Sequence, residues 1–174
     1  MKPFIGIKKI WYGDVITTAV TKSSLKTWLG TATEVENSHQ DTWAYTEDDP
    51  TYTDYINELN GSIYYRDVTQ KGAKTIAFTM GVFSFDDKVD LEGGEKIDTD
   101  AGWASSDTPG IVNKAIVGQT KTGNYIVFTN AAVIAKSNAV EKNIGLGITA
   151  VAMENPNSGV KSDYLFDGEK VEAA

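Results

Sequence analysis

The chain has 174 residues, 41% of them hydrophobic, and a formal net charge of −8. A chain of this length can bury about 70% of its unfolded surface in one core, so we expect a single domain over residues 1–174. The absence of cysteine excludes disulfides and thiolate chemistry. The negative charge disfavours binding to nucleic-acid phosphates or anionic lipids. The basic N-terminus lacks the apolar run of a signal peptide, and no window approaches a membrane span, so we expect no membrane partner.

The first elements of the chain are predicted to be a strand pair, a short helix and a further strand. Strands over residues 5–11 and 15–20 are joined by a turn at residues 12–14. Residues 23–30 favour a helix with serine as the N-cap and glycine at its end, or alternatively a loop leading into a strand. The alternating threonines of residues 31–35 indicate a strand.

Residues 36–60 are acidic, polar and rich in tyrosine and threonine. The segment is too long for an ordinary connection and too poor in aliphatic residues for a core. It therefore predicts a long acidic loop or extended arm. Because tyrosine and tryptophan dominate interface hot spots, we interpret it as a contact between subunits. The candidate contact residues are Trp43, Tyr45, Asp48, Asp49, Tyr52 and Tyr55.

The middle of the chain predicts a hairpin followed by a helix. Asn60-Gly61-Ser62 is a turn signal, and strands over residues 63–68 and 74–85 flank a second turn at residues 70–72. Gly81 marks a β-bulge in the second of these strands. Residues 86–92 then favour a short helix capped by Asp86, and Trp103 falls in a loop.

Residues 114–154 predict a β-meander, and residues 155–174 a C-terminal extension. The predicted strands cover residues 115–120, 125–129, 131–136 and 144–153, with a break at Asn130 and turns at residues 121–124 and 137–143. In the last strand, alternation places most of the apolar bulk on one face. That face holds Ile144, Leu146, Ile148, Ala150 and Ala152.

The residues that could carry chemistry form no recognisable site. His39 is the only histidine, and its acidic, polar surroundings favour a solvated loop position. One histidine and no cysteine leave too few ligands for zinc. Asp98 and Asp100 resemble part of a calcium loop but lack its glycine, so an acidic turn is the preferred interpretation and weak calcium binding the alternative. We therefore expect no catalytic residue, cofactor or metal, and no enzyme.

Four patterns in order resemble the major tail tube proteins of long-tailed phages. They are Trp28-Leu29-Gly30 before a Thr/Glu-rich strand, the acidic segment before the strand at residues 75–80, the helix ending in Leu91-Glu92-Gly93-Gly94 with Trp103 downstream, and the hairpin at residues 120–131. Together they cover roughly residues 25–155.

The resemblance implies an all-β fold, a β-sandwich or small barrel with one or two short helices. It implies a structural subunit that forms hexameric rings stacked into a tail tube, as in the inner tubes of contractile injection systems and type VI secretion. The implied partners are further copies of the chain and tail terminator, baseplate or tip, and tape-measure proteins, with DNA passing through without specific binding. The implied place is the virion tail, assembled in the bacterial cytoplasm. The alternative is a carbohydrate-binding module that stacks sugars on Trp28, Trp43 or Trp103.

Overall fold

The computed structural model describes residues 1–108 and 110–172 and shows an all-β fold with 45% strand and 12% helix. The strands are β1 (Lys9–Gly13), β2 (Thr33–Glu34), β3 (Ala44–Glu47), β4 (Thr51–Ile56), β5 (Ile63–Gln70), β6 (Lys74–Met80), β7 (Glu95–Ile97), β8 (Gly102–Ala104), β9 (Val112–Gln119), β10 (Tyr125–Val140), β11 (Asn143–Ala152) and β12 (Asp163–Phe166). The helices of the described residues are α1 (Lys22–Leu29), α2 (Phe85–Glu92) and α3 (Gly168–Glu172).

The main sheet is antiparallel, in the order β2-β1-β9-β10-β11-β6-β3, and β12 also pairs with β10. Strand β10 is its centre. Residues 125–128 lie between β9 and β12, whereas residues 131–140 pair with β11. The register to β9 shifts between Phe128 and Ala131, so the strand bends there without ending. The predicted break at Asn130 is therefore wrong, because the chain accommodates that residue in a bulge.

The bent sheet folds over itself as a β-sandwich around an inner core. Strands β6 and β11 face β1, β9 and the first part of β10 across this core. Its largest fully buried side chains include Tyr12, Phe78, Phe128, Ile76, Met80, Ile116 and Leu146. At one edge of the sandwich, Lys74 Nζ of β6 lies 2.7 Å from Asp163 Oδ2 of β12. This ion pair connects the two layers. The sandwich inferred from the resemblance is thus the observed architecture.

A second apolar cluster covers the outer face of β9 and β10. Leu25 of α1 and Val171 of α3 are buried there against Ala115, Val117 and Val127. These strands are buried on both faces, which is why they appear in the sequence as nearly continuous apolar runs. Helix α3 and β12 belong to the segment predicted as a C-terminal extension, so that extension completes the core. Residues 173 and 174 of this extension lie outside the described residues. So does Pro109, which belongs to the loop before β9.

The predicted partner strand over residues 15–20 is wrong. Strand β1 pairs instead with β2 and β9. Within residues 15–20, Ile16 and Val20 are buried beside α1, so their apolar character reflects helix packing. The helix itself is confirmed, but its N-cap is Thr21, two residues before the predicted serine. Thr21 and Ser24 form a capping box, in which each side chain accepts a hydrogen bond from the other's backbone N–H.

One predicted cap, one predicted turn and one predicted loop differ from the structure. Helix α2 begins after Ser84, which forms a capping box with Asp87, so Asp86 lies in its first turn instead of at the cap. The turn between β10 and β11 consists of Glu141 and Lys142, both at positive φ, because β10 continues through the predicted turn at residues 137–143. Ile144 is consequently 69% exposed, whereas Leu146, Ile148 and Ala150 are buried as predicted. Trp103 lies in strand β8, not in a loop.

Candidate interaction surface

Strands β3 to β6 form one long hairpin that is half inside the core and half outside it. Its inner half pairs β3 with β6, from Ala44 opposite Ala77 to Glu47 opposite Lys74. The backbone N–H of Asp48 then donates to the carbonyl of Ala73 at 2.9 Å, and the outer half pairs β4 with β5. The predicted hairpin between residues 63–68 and 74–85 is wrong, since β5 and β6 are successive parts of the same side of this hairpin. Strand β6 also ends at Met80, so Gly81 lies beyond it and makes no bulge.

We call the outer half, residues 51–70, the arm hairpin. The predicted acidic loop over residues 36–60 therefore contains strands β3 and β4. Strand β5 has eight residues, so the arm hairpin extends roughly 27 Å at about 3.4 Å per residue. Nearly all of its residues are exposed, so it projects from the main sheet.

The tip of the arm hairpin is held by its own side chains. Asn57 Oδ1 accepts a hydrogen bond from the backbone N–H of Leu59 at 2.9 Å, and Asn60 Oδ1 accepts one from Ser62 at 3.0 Å. Gly61 has a φ of 71°, which glycine adopts without strain. The predicted turn at residues 60–62 is confirmed. This ordered tip presents the side chain of Leu59, which is 96% exposed.

Large apolar and aromatic side chains cover both faces of the arm hairpin. All eight residues of β5 are exposed. The exposed large side chains of the arm hairpin are Tyr52, Tyr55, Ile56, Leu59, Ile63, Tyr64, Tyr65 and Val68. A hairpin alone is at best marginally stable in water, and a contiguous exposed apolar patch marks an interaction site. The arm hairpin is therefore the candidate interaction surface of this chain.

Cross-strand pairs stiffen each face of the arm hairpin. On one face, the Arg66 guanidinium donates to both carboxylate oxygens of Asp54, at 2.5 and 2.9 Å, and lies 3.9 Å from the ring centroid of Tyr52. These hydrogen bonds lower the pKa of the Asp54 carboxyl below its usual value. On the other face, the rings of Tyr55 and Tyr65 lie 5.7 Å apart. Such pairs already restrict the rotamers of these side chains, so less conformational entropy is lost when a partner binds.

Close backbone packing fixes the geometry at the base of the arm hairpin. A Cβ added to Gly72 would lie 1.6 Å from the carbonyl oxygen of Asp48, so only glycine fits there. Next to it, Lys74 Nζ lies between Glu47 at 3.7 Å and Asp163 at 2.7 Å. The hydrogen bond to Asp163 raises the pKa of Lys74. The arm hairpin therefore leaves the sheet in a defined direction.

The six predicted contact residues fall into two groups. Trp43 and Tyr45 are half-buried against the inner core, with ring centroids 6.5 Å from Phe78 and 6.2 Å from Phe128. They pack within the chain and are not exposed on the arm hairpin. Asp48 and Asp49 are exposed at its base, and Tyr52 and Tyr55 on β4.

Sequence reasoning missed the apolar residues of the tip and of β5. Leu59, Ile63, Tyr64 and Val68 belong to the exposed surface, whereas residues 63–68 were predicted only as a strand paired with residues 74–85. A usable signal was present. Ile63, Tyr64 and Tyr65 are consecutive and lack the polar alternation of a half-buried strand.

The other residues considered for chemistry have structural contacts. His39 is half-buried, and its backbone N–H donates to the carbonyl of Thr79 at 2.7 Å. Lys96 Nζ lies 2.6 Å from Asp86 and 2.9 Å from Asp100, which neutralises part of the charge that a calcium ion would need. Across residues 1–108 and 110–172, no three acidic or histidine side chains cluster as metal ligands would. In the same residues no helix is long and apolar enough to span a membrane.

The tryptophans proposed as a sugar platform are each half-buried in a different contact. Trp28 Nε1 donates to the carbonyl of Asp14 at 3.0 Å, and its ring packs with the outer cluster. Trp103 Nε1 donates to the carbonyl of Gly93 at 2.8 Å, and the ammonium of Lys88 lies 4.1 Å from the indole centroid. The indoles thus connect segments of the chain to one another.

Comparison with models of protein families found no match for this chain, and comparison with curated proteins found none either.

Proposed function

We propose that this chain is a structural subunit of a phage or phage-derived tail tube, and that its arm hairpin joins one subunit to another copy. The observation that carries the proposal is the arm hairpin itself, with eight large apolar or aromatic side chains exposed on its two faces. Association with a partner removes this surface from water, at about 25 cal/mol per Å² of apolar area. The resemblance over residues 25–155 supplies the tube as the assembly.

The charge of the arm hairpin calls for lysines on the partner surface. Within the arm hairpin Arg66 is the only basic residue, and it is paired with Asp54. The remaining acidic groups, Glu58 and Asp67, are exposed, and Asp48 and Asp49 add to them at the base. Lysines elsewhere on the chain can neutralise these groups. A contact between the arm hairpin and a different surface of the next copy is heterologous, so it can repeat as rings and stacks do.

The net charge also agrees with a tube through which DNA passes. Six chains at −8 give a ring of about −48, and DNA carries one negative charge per ~1.7 Å of duplex, so a passing strand is repelled from the wall. By the same resemblance, the assembly forms the virion tail and is built in the host cytoplasm, and no catalytic step is required of it. The carbohydrate-binding alternative depended on three indoles, and their packed positions do not favour it.

Removing the arm hairpin alone tests the proposal. In the variant, an Asn-Gly turn replaces residues 50–71, so that β3 and β6 keep their pairing and Trp43 and Tyr45 stay in the core. We expect wild-type protein to form rings or tubes by negative-stain electron microscopy. The variant should keep its circular dichroism spectrum and melt cooperatively, yet remain monomeric.

A matched pair of substitutions provides the control. Ile63→Ser lies in the arm hairpin and Ile111→Ser outside it, and both isoleucines are exposed. We expect only Ile63→Ser to weaken assembly. Tubes formed by the variant without residues 50–71, or a wild-type chain that stays monomeric at every concentration, would contradict the proposal.

A further inference from the structure

The two faces of the arm hairpin differ in composition. In an antiparallel ladder, residues two apart along a strand share a face with the residues opposite them. One face, which we call face A, carries the aliphatic side chains and the ion pair, and it consists of Tyr52, Asp54, Ile56, Ile63, Arg66 and Val68. Face B carries the tyrosine pair, and it includes Thr53, Tyr55, Tyr65 and Asp67. Both faces have apolar bulk, so charge is what distinguishes them.

The charges of face A neutralise each other, whereas face B has an unpaired charge. The Arg66 guanidinium donates to both carboxylate oxygens of Asp54 and lies over the ring of Tyr52. The exposed carboxylate of Asp67 on face B has no hydrogen bond or ion pair to any described residue. Burying an unpaired carboxylate costs much more free energy than burying a bidentate pair whose hydrogen bonds are already made. Face A is therefore the face that a partner can cover.

The main sheet also has an uncharged face that its own chain leaves uncovered. It lies on the layer formed by β3, β6, β11 and the second part of β10, on the side opposite to the inner core. Strand register places two rows of side chains across these four strands. The first row holds Ala44, Ala77, Thr149 and Ile134, and the second holds Thr46, Thr75, Val151 and Ala132. None of the eight is buried. We call these two rows the uncharged face.

The composition of the uncharged face is typical of an interface. Charged residues make up 23% of the chain, and such residues lie mostly on protein surfaces. These eight uncovered positions hold none, and the centres of protein interfaces are depleted in charge in the same way. The next row contributes Lys136, opposite Gly147, so a lysine borders the face. Its sign is opposite to that of the exposed carboxylates of the arm hairpin.

We propose that face A of the arm hairpin packs on the uncharged face of a second copy of this chain, as one sheet on another. This inference rests on the proposed function, because it names the two surfaces that join the copies. The large side chains of face A interdigitate with the smaller ones of the uncharged face at about 10 Å, the usual spacing of packed sheets. Neither surface buries an unpaired charge. Because the two surfaces are different, each copy can offer one and accept the other in an open-ended series.

Cysteine cross-linking tests the contact directly, since the chain contains no cysteine. Val68→Cys protein, with the thiol on face A, is mixed with Thr149→Cys protein under mild oxidation, and disulfide-linked heterodimers are identified by mass spectrometry. The control is Asp67→Cys protein mixed with the same Thr149→Cys protein. Residues 67 and 68 are adjacent and both exposed, but they lie on opposite faces. We expect cross-linking from position 68 to be at least tenfold faster than from position 67.

The ion pair of face A gives an independent readout. Asp54→Leu leaves Arg66 unpaired, and Arg66→Met leaves Asp54 unpaired, so each variant should raise the protein concentration needed for assembly. The double variant leaves no charge on the buried face, and replacing a buried pair by apolar side chains is often neutral. It should therefore assemble at a concentration close to that of the wild type.

The outcomes separate this inference from the proposed function. Equal cross-linking from positions 67 and 68 in wild-type-like assemblies would overturn the inference and leave the proposed function intact. Single variants that assemble as readily as the wild type would do the same, and so would Val68→Cys protein that cross-links mainly to itself. Failure of the wild type to assemble would overturn the proposed function itself.

Discussion

The hairpins β9–β10 and β4–β5 consist of similar residues and lie in opposite environments. Residues 125–128, Tyr-Ile-Val-Phe, are all buried, whereas residues 63–65, Ile-Tyr-Tyr, are all exposed. β-Branched and aromatic residues favour a strand wherever it lies, because the preference reflects fit to a pleated surface. The comparison shows that strand formation and burial are separate consequences of the sequence.

The difference arises from what covers each hairpin. The β9–β10 hairpin has β6 and β11 on its inner side and α1 and α3 on its outer side. The arm hairpin continues the β3–β6 ladder past Asp48 and Gly72, beyond the point where other elements of the chain pack against it. Its large apolar side chains therefore remain exposed, and the proposed assembly contact is placed on them.

The largest expected effect comes from placing a carboxylate in each environment. Ile148→Asp puts a charge where the wild-type side chain is 2% exposed, and it should lower the free energy of unfolding by several kcal/mol, on the order of 3–5. Ile63→Asp, at a position that is 52% exposed, should change it by less than about 0.5 kcal/mol. Urea denaturation of both variants measures this. Similar destabilisation by the two changes would mean that the arm hairpin is buried within the chain.

A smaller effect is expected at the base of the arm hairpin. Gly72→Ala forces the carbonyl of Asp48 away from its position and should destabilise the chain by about 1–3 kcal/mol, with an altered arm direction that weakens assembly. Gly159→Ala is the control, since an added Cβ there meets no atom within 4 Å. Thermal melts and electron microscopy of both variants check this. A Gly72→Ala protein that assembles normally would show that the direction of the arm hairpin is not important.

The smallest effect is expected from pH and should be confined to the arm hairpin. Because Arg66 lowers the pKa of Asp54 in the folded chain, their hydrogen bonds stabilise the arm hairpin above the ordinary aspartate pKa of about 3.9. That contribution is lost as the pH falls through the lower folded pKa. The pair is exposed, so the loss is small.

Nuclear magnetic resonance between pH 5 and pH 2 would follow this loss through the side-chain Nε–H signal of Arg66. We expect the signal of wild-type protein to shift as Asp54 is protonated, and that of Asp54→Asn protein to stay constant. An equal shift in both proteins would show that Asp54 is not the group responsible.

Local signals in the sequence predicted many of the elements themselves. Helices α1 and α2 were predicted because capping residues and terminal glycines act within a few residues of each helix end. The strands of the meander and the turn at residues 60–62 were predicted from alternation and turn chemistry. These interactions join residues that are close together in the chain, so they can be recognised from the sequence alone.

Strand pairing could not be predicted in the same way. Two turn signals flank β5, at residues 60–62 and at residues 70–72, and both are locally acceptable. The first forms the tight turn between β4 and β5. At the second, the chain continues from β5 into β6 along the same side of the long hairpin. The choice depends on pairing of β6 with β3 and β11, which are distant in sequence.

The sequence by itself determined that this chain is an acidic, cysteine-free β protein with an aromatic segment beyond its ordinary connections. Only the tertiary structure decided which aromatic residues are exposed. Trp43 and Tyr45 lie against the core because β3 joins the main sheet, and Tyr52 and Tyr55 project because β4 leaves it. These side chains differ little in chemistry. Their burial depends on how far the sheet extends, and that is set by long-range pairing and packing.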